Sequence, residues 1–202
     1  MRRFVVMAFL CALPAPLHAE DAKPVPAVPQ YSIQDAMADP QKRMQLLGEL
    51  YKRLKVSPSD EDAQRVSATI DALMQQTGNA AADLLMQWGE ESAKAGDTAK
   101  ALDYFDGAAL LTPNAPEPYH KRAVVYYAQN DFVRAMTDLQ RAYALEPRHI
   151  GALVGLGAVF SELNHEKEAL RAYEQAISLN PHLQDADKLV KSLKRKVDGD
   201  GI

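Results

Sequence analysis

Pro113, Pro147 and Pro181 stand 34 residues apart, and each closes a stretch whose residues repeat on that same step without a gap. Ala101, Ala135 and Ala169 form one row, Phe105, Leu139 and Tyr173 a second, and Ala108, Ala142 and Ala176 a third. Gly89, Ala123 and Gly157 add a small-residue row. It is preceded by Trp88, Arg122 and Leu156 and followed three positions later by Ser92, Tyr126 and Phe160. Self-similarity at a fixed period of this length marks a solenoid of stacked units, and 34 residues is the period of a helix-turn-helix repeat.

The rows also say how the two helices of a unit meet. First helices are expected over about 82–95, 116–129 and 150–163. Gly89, Ala123 and Gly157 carry little side chain, so the second helix can approach at Ala101, Ala135 and Ala169 while Phe105, Leu139 and Tyr173 fill the space beside them. Turns are expected at Ala95-Gly96-Asp97, Asn130-Asp131 and Asn164-His165, residue types that tolerate left-handed backbone or cap the next helix. Each unit leaves apolar surface for its neighbour, so stability is shared along the array.

The order of aromatic, small and alanine positions ending in proline resembles the tetratricopeptide repeat (TPR) family in all three units, over about half of the chain. Arg122 in a usually aliphatic slot and Ser92 in a usually aromatic one depart from it, softening the packing expected there. The resemblance implies an all-α fold, a right-handed α-solenoid of three TPR helix pairs at 79–114, 115–148 and 149–182. An N-terminal helical hairpin at 39–78 and a C-terminal capping helix and tail at 183–202 flank it. It also implies a concave surface, lined by the first helices, where TPR proteins bind peptides or partner helices. By that analogy the partner-binding groove includes Met86, Glu90, His120, Val124, Tyr127, Val154 and Ala158. Met86 is adaptable, Tyr127 offers a rigid face with a hydroxyl, and Val124, Val154 and Ala158 make an apolar floor. The alternative is that several of these positions pack against a terminal hairpin or helix folded into the groove. Some TPR domains clamp a partner's C-terminal carboxylate. The matching slots hold Met86, Glu90, Lys121, Gly151 and Gly155, and with one cation among them that mode is not expected.

Outside the repeats, Arg2 and Arg3 precede an apolar run from Phe4 to Leu13, then Pro14 and a Leu17-His18-Ala19 stop. This is the shape of a signal peptide, with cleavage expected after Ala19 and a periodic fold delivered to the periplasm or secreted. The run is too short to span about 30 Å of hydrocarbon. Phe9 and Leu10 before Cys11 do not resemble a lipidation site, and Arg2-Arg3 lacks the longer twin-arginine motif. Cleavage removes Cys11, the one cysteine, and with it any disulfide or thiol chemistry. It also takes 23 basic residues to 21 against 27 acidic, a formal net charge of −6, which offers no general attraction to nucleic acid or anionic membrane. Pro24, Pro26 and Pro29 make 20–38 a proline-rich linker.

Asp39-Pro40 starts a helix with Met44, Leu47, Leu50, Tyr51 and Leu54 at helical spacing, and Ser59 with Asp62 starts a second carrying Val66, Ile70, Leu73 and Met74. This pair is expected to be a degenerate or capping unit ahead of the repeats. Leu183, Ala186, Val190, Leu193 and Val197 share one side of a final capping helix, and its Lys188, Lys191, Lys194, Arg195 and Lys196 form a solvated outer face. Asp198-Gly199-Asp200-Gly201 starts like a calcium loop but lacks the closing glutamate.

No catalytic constellation emerges. Gly155-Leu156-Gly157 lacks the rest of a dinucleotide fingerprint, and His120, His149, His165 and His182 never pair at helical metal spacing and read as lone surface histidines. No cofactor, no metal and no enzyme activity is expected. The expected function is a non-catalytic interaction module of the cell envelope that binds a protein or peptide partner in its groove. A second reading is an assembly or maturation factor for an envelope complex, docking through the convex face and the C-terminal helix.

Overall fold

A computed structural model describes residues 35, 36 and 39–199. The expected signal segment, the proline-rich part of the linker and the tail from residue 200 lie outside the described residues. Among the described residues nine helices are present and no strand. They are α1 (Pro40–Lys55), α2 (Asp60–Gln75), α3 (Ala80–Lys94), α4 (Thr98–Leu111), α5 (Glu117–Ala128), α6 (Phe132–Leu145), α7 (Ile150–Glu162), α8 (Glu166–Leu179) and α9 (Gln184–Asp198). None of them is long and apolar enough to cross a membrane.

Local chemistry sets the boundaries. Asp39 caps α1 by accepting from the amides of Gln41 and Lys42, with Pro40 at the first helical position, where it loses no intrahelical bond. Ser59, Asn79, Asp97 and Asp131 cap α2, α3, α4 and α6 in the same way. The three turns inside the repeats each bend through one left-handed residue: Gly96 at φ 80°, Asn130 at φ 59° and Asn164 at φ 58°. Glycine has no Cβ to clash there and asparagine tolerates the conformation, so one structural requirement is met by two residue types on the 34-residue step.

Packing inside the pairs α3–α4, α5–α6 and α7–α8 follows the rows. The six row alanines are fully buried, and Phe105, Leu139 and Tyr173 lie beside them, almost fully covered. The close approach is strict. A Cβ on Gly89 would collide with the Phe105 ring, and one on Gly157 would sit 2.7 Å from the Tyr173 ring. Burying one such large side chain is worth about 1.5–3 kcal/mol. Helix α9 closes the far end, placing Ala186, Val190 and Leu193 against Tyr173 and Ala169 of the last pair.

Two expectations change. Arg122 does not loosen its site: its guanidinium forks onto Asp138 at 2.7 and 2.8 Å and reaches Asp106 of the preceding unit at 2.5 Å. The same pair of positions holds Trp88 against Tyr104 in the first unit, ring centroids 5.7 Å apart, and buried Leu156 and Ala172 in the third. An ion pair therefore replaces an apolar pair, which keeps the slot filled and satisfies both charges.

The hairpin α1–α2 also departs from the role of a stacked capping unit. It lies along the edge of the array where the repeats end. The start of α1 borders Leu111–Pro116, its middle borders Leu145, Glu146 and Arg148, the α1–α2 turn meets His182, and Ser67 of α2 meets Asn180. Its core is largely its own, built from Leu46, Leu50, Leu54, Val66, Ile70 and Leu73, with Ile150 of the array packed against it. Ala36, in the stretch expected to be linker, is helical and fully buried in that same core.

Candidate partner-binding groove

Helices α3, α5 and α7, the first of each pair, contact one another in sequence and form one surface of the array. The hairpin divides it. Helix α2 runs across the N-terminal ends of α5 and α7. Ser67, Ile70, Asp71 and Met74 face Glu117, His120, Lys121 and Gly151 over a cavity of about 290 Å³. The C-terminal ends of the same helices stay open. There Val124 is 52% exposed, and Tyr127 is half-buried with its hydroxyl 3.3 Å from Glu162 and its ring on Phe132.

The residues expected to line one groove therefore fall into three environments. Val124, Tyr127 and Ala158 border the open part, the last two half-buried. Glu90, His120 and Val154 lie nearer the hairpin: Glu90 is paired with Lys121 at 2.8 Å, and Val154 shares a cleft with Asp60, Ala63 and Gln64. Met86 is a correction. It is 4% exposed among Ala82, Ala101, Phe105 and Val125, because the slot it occupies is covered where α5 packs on α3.

The histidines are a second correction. His149 caps α7, its Nδ1 accepting the backbone N–H of Ala152 at 3.1 Å, and its Nε2 lies 2.9 Å from Glu117 Oε2. His120 Nδ1 is 3.3 Å from Glu117 Oε1, and the two imidazole rings tilt against each other 4.6 Å apart. Lys121 adds its ammonium 3.6 Å from the same carboxylate. Burial alone would push the Glu117 carboxyl up. The hydrogen bonds that Glu117 makes with His120 and His149 outweigh burial and hold that carboxyl well below the usual range. Across the cavity the opposite happens to Asp71: burial and the Glu117 charge push its carboxyl above the ordinary value. Spacing along the chain concealed this cluster, since Glu117 and His149 come from different repeats. The one local signal is Glu117 and His120, three apart on α5.

Glu117, His120 and His149 each bring one ligand atom to within 4.8 Å of the others, a carboxylate-plus-imidazole set of the kind that holds zinc. The hydrogen bonds argue against it. A histidine that ligates through one nitrogen donates the other N–H outward. His149 Nδ1 instead receives the Ala152 N–H, so the hydrogen sits on Nε2, the atom a metal would need. The cluster fits a hydrogen-bonded ion network.

His182 makes a comparable link at the other end of the hairpin. Its Nδ1 is 2.6 Å from Asp60 Oδ1 and its Nε2 is 2.9 Å from the Ser57 carbonyl. Gln184 donates to the second oxygen of Asp60 at 2.6 Å. The Asp60 carboxylate and the Ser57 carbonyl together raise the His182 pKa above 6.5.

Residues 150–183 match the sequence model of a family described as Tetratricopeptide repeat. A TPR repeat-containing protein of Rhizobium etli is 28% identical over 165 residues, covering 82% of this chain and 79% of its own length. The heat-shock protein cognate co-chaperone sgt12 of Aspergillus fumigatus is 26% identical over 155 residues, 74% of this chain but 46% of the co-chaperone. Among solved structures, the first TPR of Spaghetti (RPAP3), bound to the HSP90 peptide SRMEEVD, superposes with a TM-score of 0.57 at 24% identity. That match covers 58% of this chain and 94% of the other. Residues 150–183 thus match a tetratricopeptide repeat, and the helical array is similar in sequence to TPR-containing proteins and in fold to a solved TPR domain.

Proposed function

We propose that the chain is a non-catalytic interaction module of a bacterial cell envelope, exported by its N-terminal segment, that binds a peptide or helix of a partner protein on its concave surface. The observation that carries this reading is the open end of that surface, where Val124 is 52% exposed beside Tyr127 on α5 and Ala158 on α7, two helices held by the repeat core. An apolar floor with one aromatic hydroxyl suits a segment with a few apolar anchors. The signal-like start, from Arg2 to Ala19, supports export. Acidic chaperone tails suit it less, although the RPAP3 domain was solved with one. Lys121, the one cation in the clamp slots, is already engaged by Glu90 and Glu117.

Docking through the C-terminal helix is the weaker reading, because Lys188, Lys191 and Lys194 are paired within the chain with Asp185, Asp187 and Glu174. Affinity purification from an envelope fraction, run with the parent chain and with Val124→Glu plus Tyr127→Ala, tests the proposal. Loss of the captured partners with the double variant is expected. Recovery of the same partners with both baits overturns it.

A further inference from the structure

The hairpin sits on the array as a bound helix would, and its seam is loosely made. Clefts of about 510, 400 and 290 Å³ lie along it. The links across it are few and largely polar: His182 to Asp60 and the Ser57 carbonyl, Gln184 to Asp60, Asn180 to Ser67 at 3.4 Å, and Arg148 over the Tyr51 ring at 4.9 Å. Hairpin and array each keep separate apolar clusters, so separating them opens the polar seam and the contact at Ile150 while leaving both cores closed. A well-packed interior has few voids larger than a water molecule, so a seam lined by clefts holds the hairpin less tightly than its own core holds together.

Charge at the seam is mismatched. Asp71 of α2 faces a cavity whose opposite wall carries the buried carboxylate of Glu117, with Glu90 bridged to it through Lys121. That makes three carboxylates to one lysine. His149, holding its hydrogen on Nε2 while Nδ1 accepts the Ala152 amide, adds no full positive charge. A carboxylate is the wrong group to place there, and a cation is the right one.

We propose that α2 is an internal occupant of the covered half of the groove and that it gives way to a partner's amphipathic helix carrying lysine or arginine where α2 carries Asp71. This deepens the interaction-module reading and rests on it. The partner covers Ile150, which the hairpin core covers now, and adds an ion pair with Glu117. The hairpin, still closed around its own core, swings away on the Gln76–Asn79 connection.

The test uses the full chain carrying Cys11→Ser, Ser67→Cys and Asn180→Cys, so that oxidation ties α2 to the array where the two side chains already meet. Two labelled peptides are the probes: residues 58–78 as they stand, and the same with Asp71→Lys. The reduced chain is expected to bind the Asp71→Lys peptide about tenfold more tightly than the parent peptide, a difference of about 1.4 kcal/mol. The oxidised chain, with unchanged helicity, is expected to bind neither. Equal binding by the two redox forms overturns the proposal, and so does no binding by the reduced chain. Val124→Glu with Tyr127→Ala separates it from the broader reading. If those changes abolish peptide binding, the peptide occupies the open half and the inference fails while the reading stands. If peptide binding survives them and depends on the redox state, but envelope partners are still captured by the double variant, the open-half reading fails and the inference stands.

Discussion

His182 Nδ1 lies 2.6 Å from Asp60 Oδ1, joining the turn after the last repeat to the first residue of α2, 122 positions earlier in the chain. The same ring offers Nε2 to the Ser57 carbonyl at 2.9 Å. Both partners are acceptors, so both nitrogens must donate, and the ring that makes the full latch is an imidazolium.

The latch is therefore pH-dependent. The docked His182 has its pKa raised, first by Asp60 and then by the Ser57 carbonyl, with Asp62 adding charge from the same helix. A raised value means the stabilisation is fully present below the free imidazole value of 6.5 and is lost as pH rises through the docked one. The protection factors of the α2 amides, corrected for the intrinsic rise of exchange with pH, are expected to fall as pH rises above 6.5 while those of α5 to α8 hold. His182→Ala is expected to remove the difference, and an unchanged profile in that variant would refute the role assigned to this ring.

Arg122 and Asp138 are expected to show strong coupling. Asp138→Ala leaves a half-buried guanidinium with only the exposed Asp106, a loss of about 3 kcal/mol at the low end of broken buried pairs. Arg122→Leu with Asp138→Ala recreates the Leu156–Ala172 arrangement of the third repeat and is expected to recover most of that loss. Urea denaturation of the two singles and the double supplies the cycle. Additive effects would contradict the account.

Two glycine substitutions should have opposite signs. Gly48 lies inside α1 with only Arg148 Nη1 near, at 3.7 Å, so Gly48→Ala is expected to stabilise by about 0.5–1 kcal/mol through helix propensity. At Gly157 the new methyl meets the Tyr173 ring at 2.7 Å, and overpacking of about 1–3 kcal/mol outweighs the same propensity gain. Thermal melting of both variants decides it.

Zinc is expected to leave the melting temperature unchanged. A site saturated a hundredfold would add about 2.7 kcal/mol, or several degrees for a chain of this size. A zinc-dependent rise that is abolished by His149→Ala would show that the Ala152 hydrogen bond yields and that the cluster holds metal.

The peptide SRMEEVD is expected to show no saturable binding to the full chain by fluorescence anisotropy, since Lys121 is shared between Glu90 and Glu117. Glu90→Gln frees part of that cation, and binding that appears only in this variant would confirm which contact blocks it.

The repeat architecture was legible from the sequence because the residues that build it interact over short, constant separations. Gly89 meets Phe105 and Gly157 meets Tyr173 within one helix pair, and the next pair repeats the solution 34 positions on. Even Arg122 and Asp138 could have been found, since the sixteen-residue spacing that joins Trp88 to Tyr104 joins them too. Periodicity carries no such information about the hairpin. Its own helices, caps and apolar stripes follow from local residues, but its position depends on contacts such as Ser67 with Asn180 and Ser57 with His182, 113 and 125 residues apart and made once. The Glu117–His149 pair is hidden for the same reason, since a cap residue of one helix and the first residue of another meet only after the repeats have stacked. Local periodic chemistry determined the array, and only the tertiary structure decided which half of its groove is covered.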